Sequence, residues 1–513
     1  MVQRKMQHRD PDPEEFERIR ISQNPWHRNG EVPEALAQRV ERSLASELWR
    51  RLLQEDFRRF QVVLGPRQVG KTTVLYQTVR HLLGAGIEPR RVWWLRLDDP
   101  YLQSVQLGGL VRAVIRASGA TAEHPVFLML DEVVYADQWD RWLKTFYDDR
   151  WPVQVAATSS AATTLRDRRA ESGVGRWDLQ HLTPYSLVEV LDLVQGTGES
   201  GSAVHLGGVG ETLGETLRQL GEGSLASDAA AAGRLVLLML GGFPEVLAQW
   251  VHRTEGLDSL SEENAADRLG IQMLVSQRFL RSDAVVGSVY KDIPQSVGVR
   301  DPLALERLLH VLAGRVTGLL NPSRICSDLG LAQPTFDRYL SYLESAFLVF
   351  TLPNYSGSEA TVQRRGRKLY FVDGAVRNAV LQSGRSPWQD PVERGRLLEN
   401  HAMSELRSLA LQSGVRLYHW RDGKHEVDVV FDHPSDPLAF EIASSPGHTR
   451  SGLRELTLRH GRFGGRCYLV APQLPVMQPP EGGVEPGTLP LDMFLLAVGG
   501  QAHRALRRSL LLP

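Results

Sequence analysis

The sequence predicts an α/β protein of several parts: a doubly wound parallel sheet, a helical middle with a winged-helix unit, and a closing mixed α/β domain. Three observations carry this. Apolar runs at 60–65, 92–97, 126–131, 153–158 and 181–186 read as strands and alternate with stretches of helical spacing. A glycine-bearing loop, 65-GPRQVGKT-72, stands between the first run and a helix. Two acidic strands, EVDVVF and LAFEIA, lie either side of a turn near the far end. The 513 residues suffice for more than one core, since a single core rarely grows past about 250 residues.

The elements follow in order. Residues 1–38 are charged and irregular, with Pro11, Pro13, Pro25 and Pro33, and read as a flexible lead-in. The sheet occupies 39–192 and opens on a helix spaced by Leu44, Leu48, Leu52 and Leu53. Residues 193–300 combine a Gly- and Ser-rich insertion with a helical lid region. In 301–365, the run RICSDLGLAQPTFDRYLSYLESAFLVF gives a short helix, a turn at Gly330, a second helix from Pro334 and then β structure. Its Phe336, Tyr339, Leu340 and Leu343 are expected to face a core. The last domain, 366–513, offers the strands KLYFVD, VRLYHW, EVDVVF, LAFEIA and RCYLVAP and the helix GRLLENHAMSELRSLALQ, with turn-rich loops at 432–437 and 471–488.

Composition narrows the classes. A hydrophobic fraction of 42% and a charged fraction of 23% describe an ordinary globular chain, and a net charge of -1 argues against wholesale coating of a polyanion while permitting a local DNA face. Cys326 and Cys467 are far apart, which removes a disulfide framework and a cysteine-rich zinc site and fits a reducing compartment. No signal-peptide core follows the charged N-terminus, and no apolar run approaches the ~20 residues needed to cross a bilayer. A cytoplasmic protein without membrane contact is the expectation.

The loop 65-GPRQVGKT-72 matches G-x-x-x-x-G-K-T in full. Gly65, Pro66, Arg67, Gln68, Val69, Gly70, Lys71, Thr72 and Thr73 would cradle the phosphates of ATP on backbone N–H groups. Lys71 would reach the β- and γ-phosphates. Thr72 and Asp131, the latter closing 126-VFLMLD-131, would hold Mg²⁺, and Glu132 would polarise the attacking water. After the next strand, Ser159 is the candidate to sense the γ-phosphate, with capping of the following helix as its alternative. In 166-RDRRAESGVGRWDL-179, Arg176 is the candidate to enter a neighbouring subunit's site, although a lone arginine is more often a solvated surface group.

Near the other end, Glu399, Asp428 and Glu441 stand where a metal-dependent nuclease clusters carboxylates. The lysine expected two residues beyond Glu441 is replaced by Ala443, and Lys424 and Arg450 are merely nearby in sequence. Loss of that cation removes transition-state stabilisation, so a degenerate, inactive site in a fold kept for DNA binding or subunit packing is expected. Tyr418, Trp420 and Phe431 beside Arg421, Lys424 and His425 would either stack on bases or pack in a core. The basic clusters 364-RRGRK-368 and 457-TLRHGRFGGR-466 suggest phosphate contacts. His419 and His425 lack the partners of a zinc site.

Taken in order, GPRQVGKTT, FLMLDEVVYADQWDRWLKTFYDD, ATSS, GRWDLQHLTPYSLVEV and GGFPEVL resemble the prokaryotic AAA-plus-like ATPases of the AAA_14 type. KLYFVDGAVRN, GRLLENHAMSELR, YHWRDGKHEVDVVF and FEIASS resemble the DUF4143 domain usually fused to them. The likeness spans roughly residues 40–500. It implies a P-loop AAA-plus-like parallel sheet, a helical and winged-helix middle, and a C-terminal restriction-endonuclease-like α/β domain. It further implies an ATP- and Mg²⁺-dependent motor, a ring-like homo-oligomer with a hexamer among its sizes, remodelling duplex, forked or branched DNA and driving branch migration. A nucleotide-regulated protein-binding scaffold is the alternative, and an ATP-dependent nuclease is third.

Overall fold

Strands that are apolar without alternation must be covered on both faces, and the first four strands largely are. In the computed structural model β1 (Phe60–Leu64), β2 (Val92–Arg96), β3 (Val126–Asp131), β4 (Val153–Ser159) and β5 (Trp177–His181) form one parallel sheet ordered β2-β3-β4-β1-β5. Every residue of β1 and β3 is buried. The structure describes residues 11–38, 40–54, 58–160, 175–195, 210–221, 228–251, 260–356 and 366–508. Among these, no helix is long and apolar enough to cross a membrane.

The strand order positions the site. β4 lies between β1 and β3, so the carboxyl ends of three neighbouring strands deliver the glycine loop, Asp131 and Thr158 to one edge of the sheet. The fifth strand differs from the expected 181–186: only His181 of that run is in it. Leu182 still donates its N–H to Leu64 O at 2.7 Å. Pro184 then has no N–H to give, and Ser186 N donates to Glu189 Oε2 at 3.0 Å to begin the helix Leu187–Gln195.

The lead-in is structured over 12–38, contrary to the expectation of a flexible segment. The helix Pro13–Gln23 is capped by Asp12, and Ile19 is buried. Asn24 Nδ2 donates to Trp94 O at 3.1 Å while Trp94 N donates to Asn24 Oδ1 at 2.7 Å, and Trp26 Nε1 donates to Val92 O at 2.8 Å. These bonds satisfy the outer edge of β2. Scattered prolines concealed this, because the segment is anchored by the polar side chains of Gln23, Asn24, Trp26 and His27 and carries no apolar period.

Contacts divide the chain into two compact units, Met1–Leu182 and one built from Thr183–Pro294 and Val299–Ser509. In the second, the helices Pro302–Ala313, Pro322–Leu329 and Gln333–Ser345 lead into an antiparallel pair, β6 (Val349–Pro353) and β7 (Arg367–Phe371). This is the helix, turn, helix and wing order. Phe336, Leu340 and Leu343 are buried, whereas Tyr339 is half-buried. A boundary at 365/366 would fall between β6 and β7, which pair from Val349↔Phe371 to Pro353↔Arg367.

The closing sheet has the order β12-β11-β10-β9-β8, with β8 (Arg416–Asp422), β9 (His425–Asp432), β10 (Leu438–Ile442), β11 (Cys467–Ala471) and β12 (Gly487–Pro490). β8, β9 and β10 are antiparallel; β10, β11 and β12 are parallel. The loop expected at 471–488 thus ends in a strand, and the helix Leu491–Arg508 follows it. The Gly-rich stretch at 196–209 lies outside the described residues. Its continuation is a helix, Leu213–Gly221, tied to the closing domain by Gly214 N to Asp436 Oδ2 at 3.1 Å and by Gln501 Nε2 to Thr212 O at 3.0 Å.

Candidate nucleotide site and a buried acidic cluster

The loop after β1 is shaped by two glycines. A Cβ on Gly65 would stand 2.2 Å from Leu182 O, and Gly70 has φ 96°, a region that favours glycine. Gly70 begins the helix Lys71–Gly84, whose first turn has no side-chain cap. The N–H groups of that turn are therefore left without a side-chain acceptor, which suits an anion. Lys71 is buried, with Nζ donating to Gly65 O at 3.1 Å and Pro66 O at 2.9 Å.

Asp131 is held by two hydroxyls. Thr72 Oγ1 donates to Asp131 Oδ2 at 2.7 Å and Thr158 Oγ1 donates to Asp131 Oδ1 at 2.6 Å. Thr158 Oγ1 also accepts from Glu132 N at 2.9 Å, and Ser160 Oγ donates to Glu132 Oε2 at 3.2 Å. Glu132 has φ 55°, uncommon for a residue with a side chain. That turn swings its carboxylate to 4.0 Å from Lys71 Nζ. Burial raises the Asp131 carboxyl to about 6, Glu132 adds to the rise, and the two threonine hydroxyls oppose it. A buried carboxylate bound by neutral donors suits a hard cation, so Thr72 and Asp131 fit Mg²⁺ and the loop fits a nucleotide's phosphates.

The remaining sequence candidates fall as follows. Ser159 is fully buried at the end of β4, paired in register with Leu64, and the hydroxyls that reach the acid pair belong to its neighbours Thr158 and Ser160. Thr158 was legible as the polar close of an apolar strand. Arg176 lies at the start of β5, at the opposite end of the sheet from the loop, with Nε 2.7 Å from Asp148 Oδ1. The other arginines of 166–174 lie outside the described residues.

The second unit brings Glu399, Asp428 and Glu441 together and adds the cation the sequence appeared to lack. Lys368, on β7, is buried and places Nζ 2.5 Å from Asp428 Oδ1, 2.9 Å from Glu399 Oε1 and 3.2 Å from Glu426 Oε1. The expectation of a site without a lysine is corrected: the lysine comes from the wing strand, not from the position of Ala443, and neither Lys424 nor Arg450 supplies it. The available signal was Lys368 directly preceding the apolar run LYFV, where a lysine is out of place on a buried strand.

Hydrogen bonds complete this cluster. Tyr370 OH donates to Glu399 Oε1 at 2.9 Å, Ile442 N to Asp428 Oδ2 at 2.8 Å, and His448 Nε2 lies 3.2 Å from Glu441 Oε1. Burial, then the charge of Asp428, lifts Glu399 to about 7 and Glu441 to about 8. Burial opposes the Lys368 charge, but Asp428, Glu399 and Glu426 outweigh it and hold its pKa well above the ordinary value. Among the described residues, no three His, Cys, Asp or Glu side chains are placed to hold a metal ion.

Two proposed DNA contacts are absorbed by structure. Tyr418, Trp420 and Phe431 are buried, the first two in a core with Tyr355, Leu453 and Phe463, so they cannot stack on bases. Arg459, Arg462 and Arg466 are paired with Asp422, Asp432 and Asp436. His419 is buried and its Nε2 lies 2.9 Å from Gly366 O.

Comparison with known proteins places three family models along the chain: an AAA domain (AAA_14) at 58–191, a domain of unknown function (DUF8612) at 273–386, and a further one (DUF4143) at 394–478. An uncharacterized protein of Methanocaldococcus jannaschii is 33% identical over 116 residues, 22% of this chain and only 24% of that relative's length. A second from the same organism is 22% identical over 384 residues, 72% of each chain, and one from Haemophilus influenzae is 22% identical over 332 residues, 63% of this chain and 69% of its own. Among solved structures, Aeropyrum pernix ORC1 in complex with DNA is 13% identical, with 68% of this chain and 94% of that one covered at a TM-score of 0.31. Cdc6p of Pyrobaculum aerophilum is likewise 13% identical, at 69% and 96% coverage and a TM-score of 0.26. Superpositions this loose carry no argument about what the present chain binds.

Proposed function

Since the chain belongs to the AAA-plus-like ATPases that carry an AAA_14 domain ahead of a DUF4143 domain, we propose that it is a Mg²⁺-dependent ATPase acting on DNA as a ring-like homo-oligomer. The observation that supports turnover is the hydrogen-bonded chain Thr72–Asp131–Thr158–Glu132. Magnesium, when bound, neutralises charge on the transferred phosphoryl group. Thr72 and Asp131 would hold the cation, the loop N–H groups would fix the phosphates, and Lys71 would exchange the carbonyls of Gly65 and Pro66 for the outer phosphate. Glu132, oriented by its backbone bond to Thr158, accepts a proton from the attacking water. Arg176 is the arginine offered to a neighbouring copy.

The DNA part of the reading rests on the three helices and the β6–β7 hairpin. The helix Gln333–Ser345 keeps Gln333, Asp337, Arg338 and Ser341 exposed on the side away from its buried leucines. Such a polar face suits contact with a duplex groove. Forked or branched DNA is the substrate this arrangement would remodel. A second reading, an ATP-dependent nuclease, rests on the acidic residues Glu399, Asp428 and Glu441 that the second unit brings together.

One assay separates these readings. ATP turnover by wild type and Glu132→Gln is measured with single-stranded, duplex, forked and four-way DNA, and the labelled strands are inspected for exchange and cleavage. Stimulation by branched DNA with intact strands supports the motor. Turnover indifferent to every DNA sinks the DNA reading and favours a protein partner, and cut strands favour the nuclease.

A further inference from the structure

In the nuclease-like fold that the closing domain resembles, Glu399, Asp428 and Glu441 would hold Mg²⁺. The residues present do not fit that ion. An ammonium already stands beside them, with oxygens of Asp428, Glu399 and Glu426 at 2.5, 2.9 and 3.2 Å. Other groups engage the oxygens around it: Tyr370 OH shares Glu399 Oε1, Ile442 N takes the second oxygen of Asp428, and His448 lies on Glu441 Oε1, which leaves Glu441 Oε2 buried without a hydrogen-bond partner, one open donor where a divalent ion needs several. A buried divalent cation here would lie against a fixed positive charge, at a separation where repulsion in a low dielectric is severe.

We propose that Lys368 is a resident counter-ion that takes the place of the metal, making the closing domain a cation-locked module that does not cleave. The lock also has a mechanical side. Lys368 belongs to β7, and its partners belong to the helix Pro391–Ser413 and to β9, so one side chain joins the wing hairpin to the nuclease-like sheet. This deepens the reading of a DNA-handling protein whose closing domain leaves strands intact, and it is independent of the ATPase.

The test is manganese binding to the full-length, nucleotide-free chain, followed by electron paramagnetic resonance in an Asp131→Asn background that silences the nucleotide site. The acidic cluster should take up no manganese while Lys368 is present. Lys368→Met should gain affinity by at least about tenfold, Lys368→Arg should not, and adding Asp428→Asn to Lys368→Met should abolish the gain. A folded Lys368→Met with no gain would overturn the proposal. Where circular dichroism shows that Lys368→Met has not folded, the Lys368-containing chain decides: manganese uptake that Asp428→Asn removes overturns the lock, and uptake that Asp428→Asn leaves unaltered at background supports it. ATP turnover is measured on the same substitutions without Asp131→Asn. Absent turnover with the manganese pattern intact would count against the ATPase and leave the lock standing.

Discussion

Two buried aspartates in this molecule each have a lysine for a neighbour, and they use it in opposite ways. Asp131 is bound by the Thr72 and Thr158 hydroxyls, while Lys71 rests on the carbonyls of Gly65 and Pro66. Asp428 is bound by Lys368 itself and by Ile442 N. In the first unit, the lysine donates to neutral acceptors that it can exchange for a phosphate and stands at the 4.0 Å limit of an ion pair with Glu132. In the second, one lysine is shared among three carboxylates and is held there by charge. The difference teaches that a carboxylate at a strand end signals chemistry only together with what neutralises it.

The comparison can be broken by substitution. The largest effect is expected from Glu132→Gln, which should lower steady-state ATP turnover by roughly 10²–10⁴-fold while nucleotide binding, followed by fluorescence of a labelled analogue, persists. Next, Lys368→Met leaves buried carboxylates without their cation and should cost about 3–5 kcal/mol in denaturant unfolding of the second unit; a loss under about 1 kcal/mol would mean the cluster is not a coupled network. Lys368→Arg should cost less. Thr158→Val removes hydrogen bonds to a charged group worth about 1.5–3 kcal/mol, and turnover should fall by about tenfold or more without loss of fold.

The smallest effect is a pH dependence. Burial and Glu132 raise Asp131 to about 6, above an ordinary aspartate. Below that value the folded protein holds a proton that the unfolded chain gives up, so this group favours folding at low pH and the contribution is lost as pH rises through about 6. Cation binding runs the other way, because only the ionised form is a ligand. Mg²⁺-dependent nucleotide affinity should be flat above about pH 6 and drop up to tenfold per unit below it, and a calorimetric titration showing no such break would reject Asp131 as the ligand.

The loop and its acidic pair were legible because each is contiguous and sits at a strand end, where the parallel sheet must deliver it to one edge. The parallel strands read well for the same reason: unbroken apolar runs have few other uses. Lys368 was hidden because it acts on Asp428 across a |i−j| of 60, so its role exists only after β7 has been placed. The closing helix and β12 were obscured by the turn-rich stretch before them. Tyr418 and Trp420 read equally as a DNA surface or a core until the packing of Tyr355 and Phe463 over them decided it.

One small feature bears on what the first sheet can add to itself. The outer strand β2 is closed off by Asn24, whose side-chain amide donates to and accepts from Trp94 as a neighbouring backbone would. An open edge is a template onto which another chain can add a strand. With that template occupied by Asn24, together with Gln23 on Arg96 N and Trp26 and His27 on Val92 O, the sheet stops growing at β2. A second chain can therefore not extend the sheet by pairing its backbone with β2.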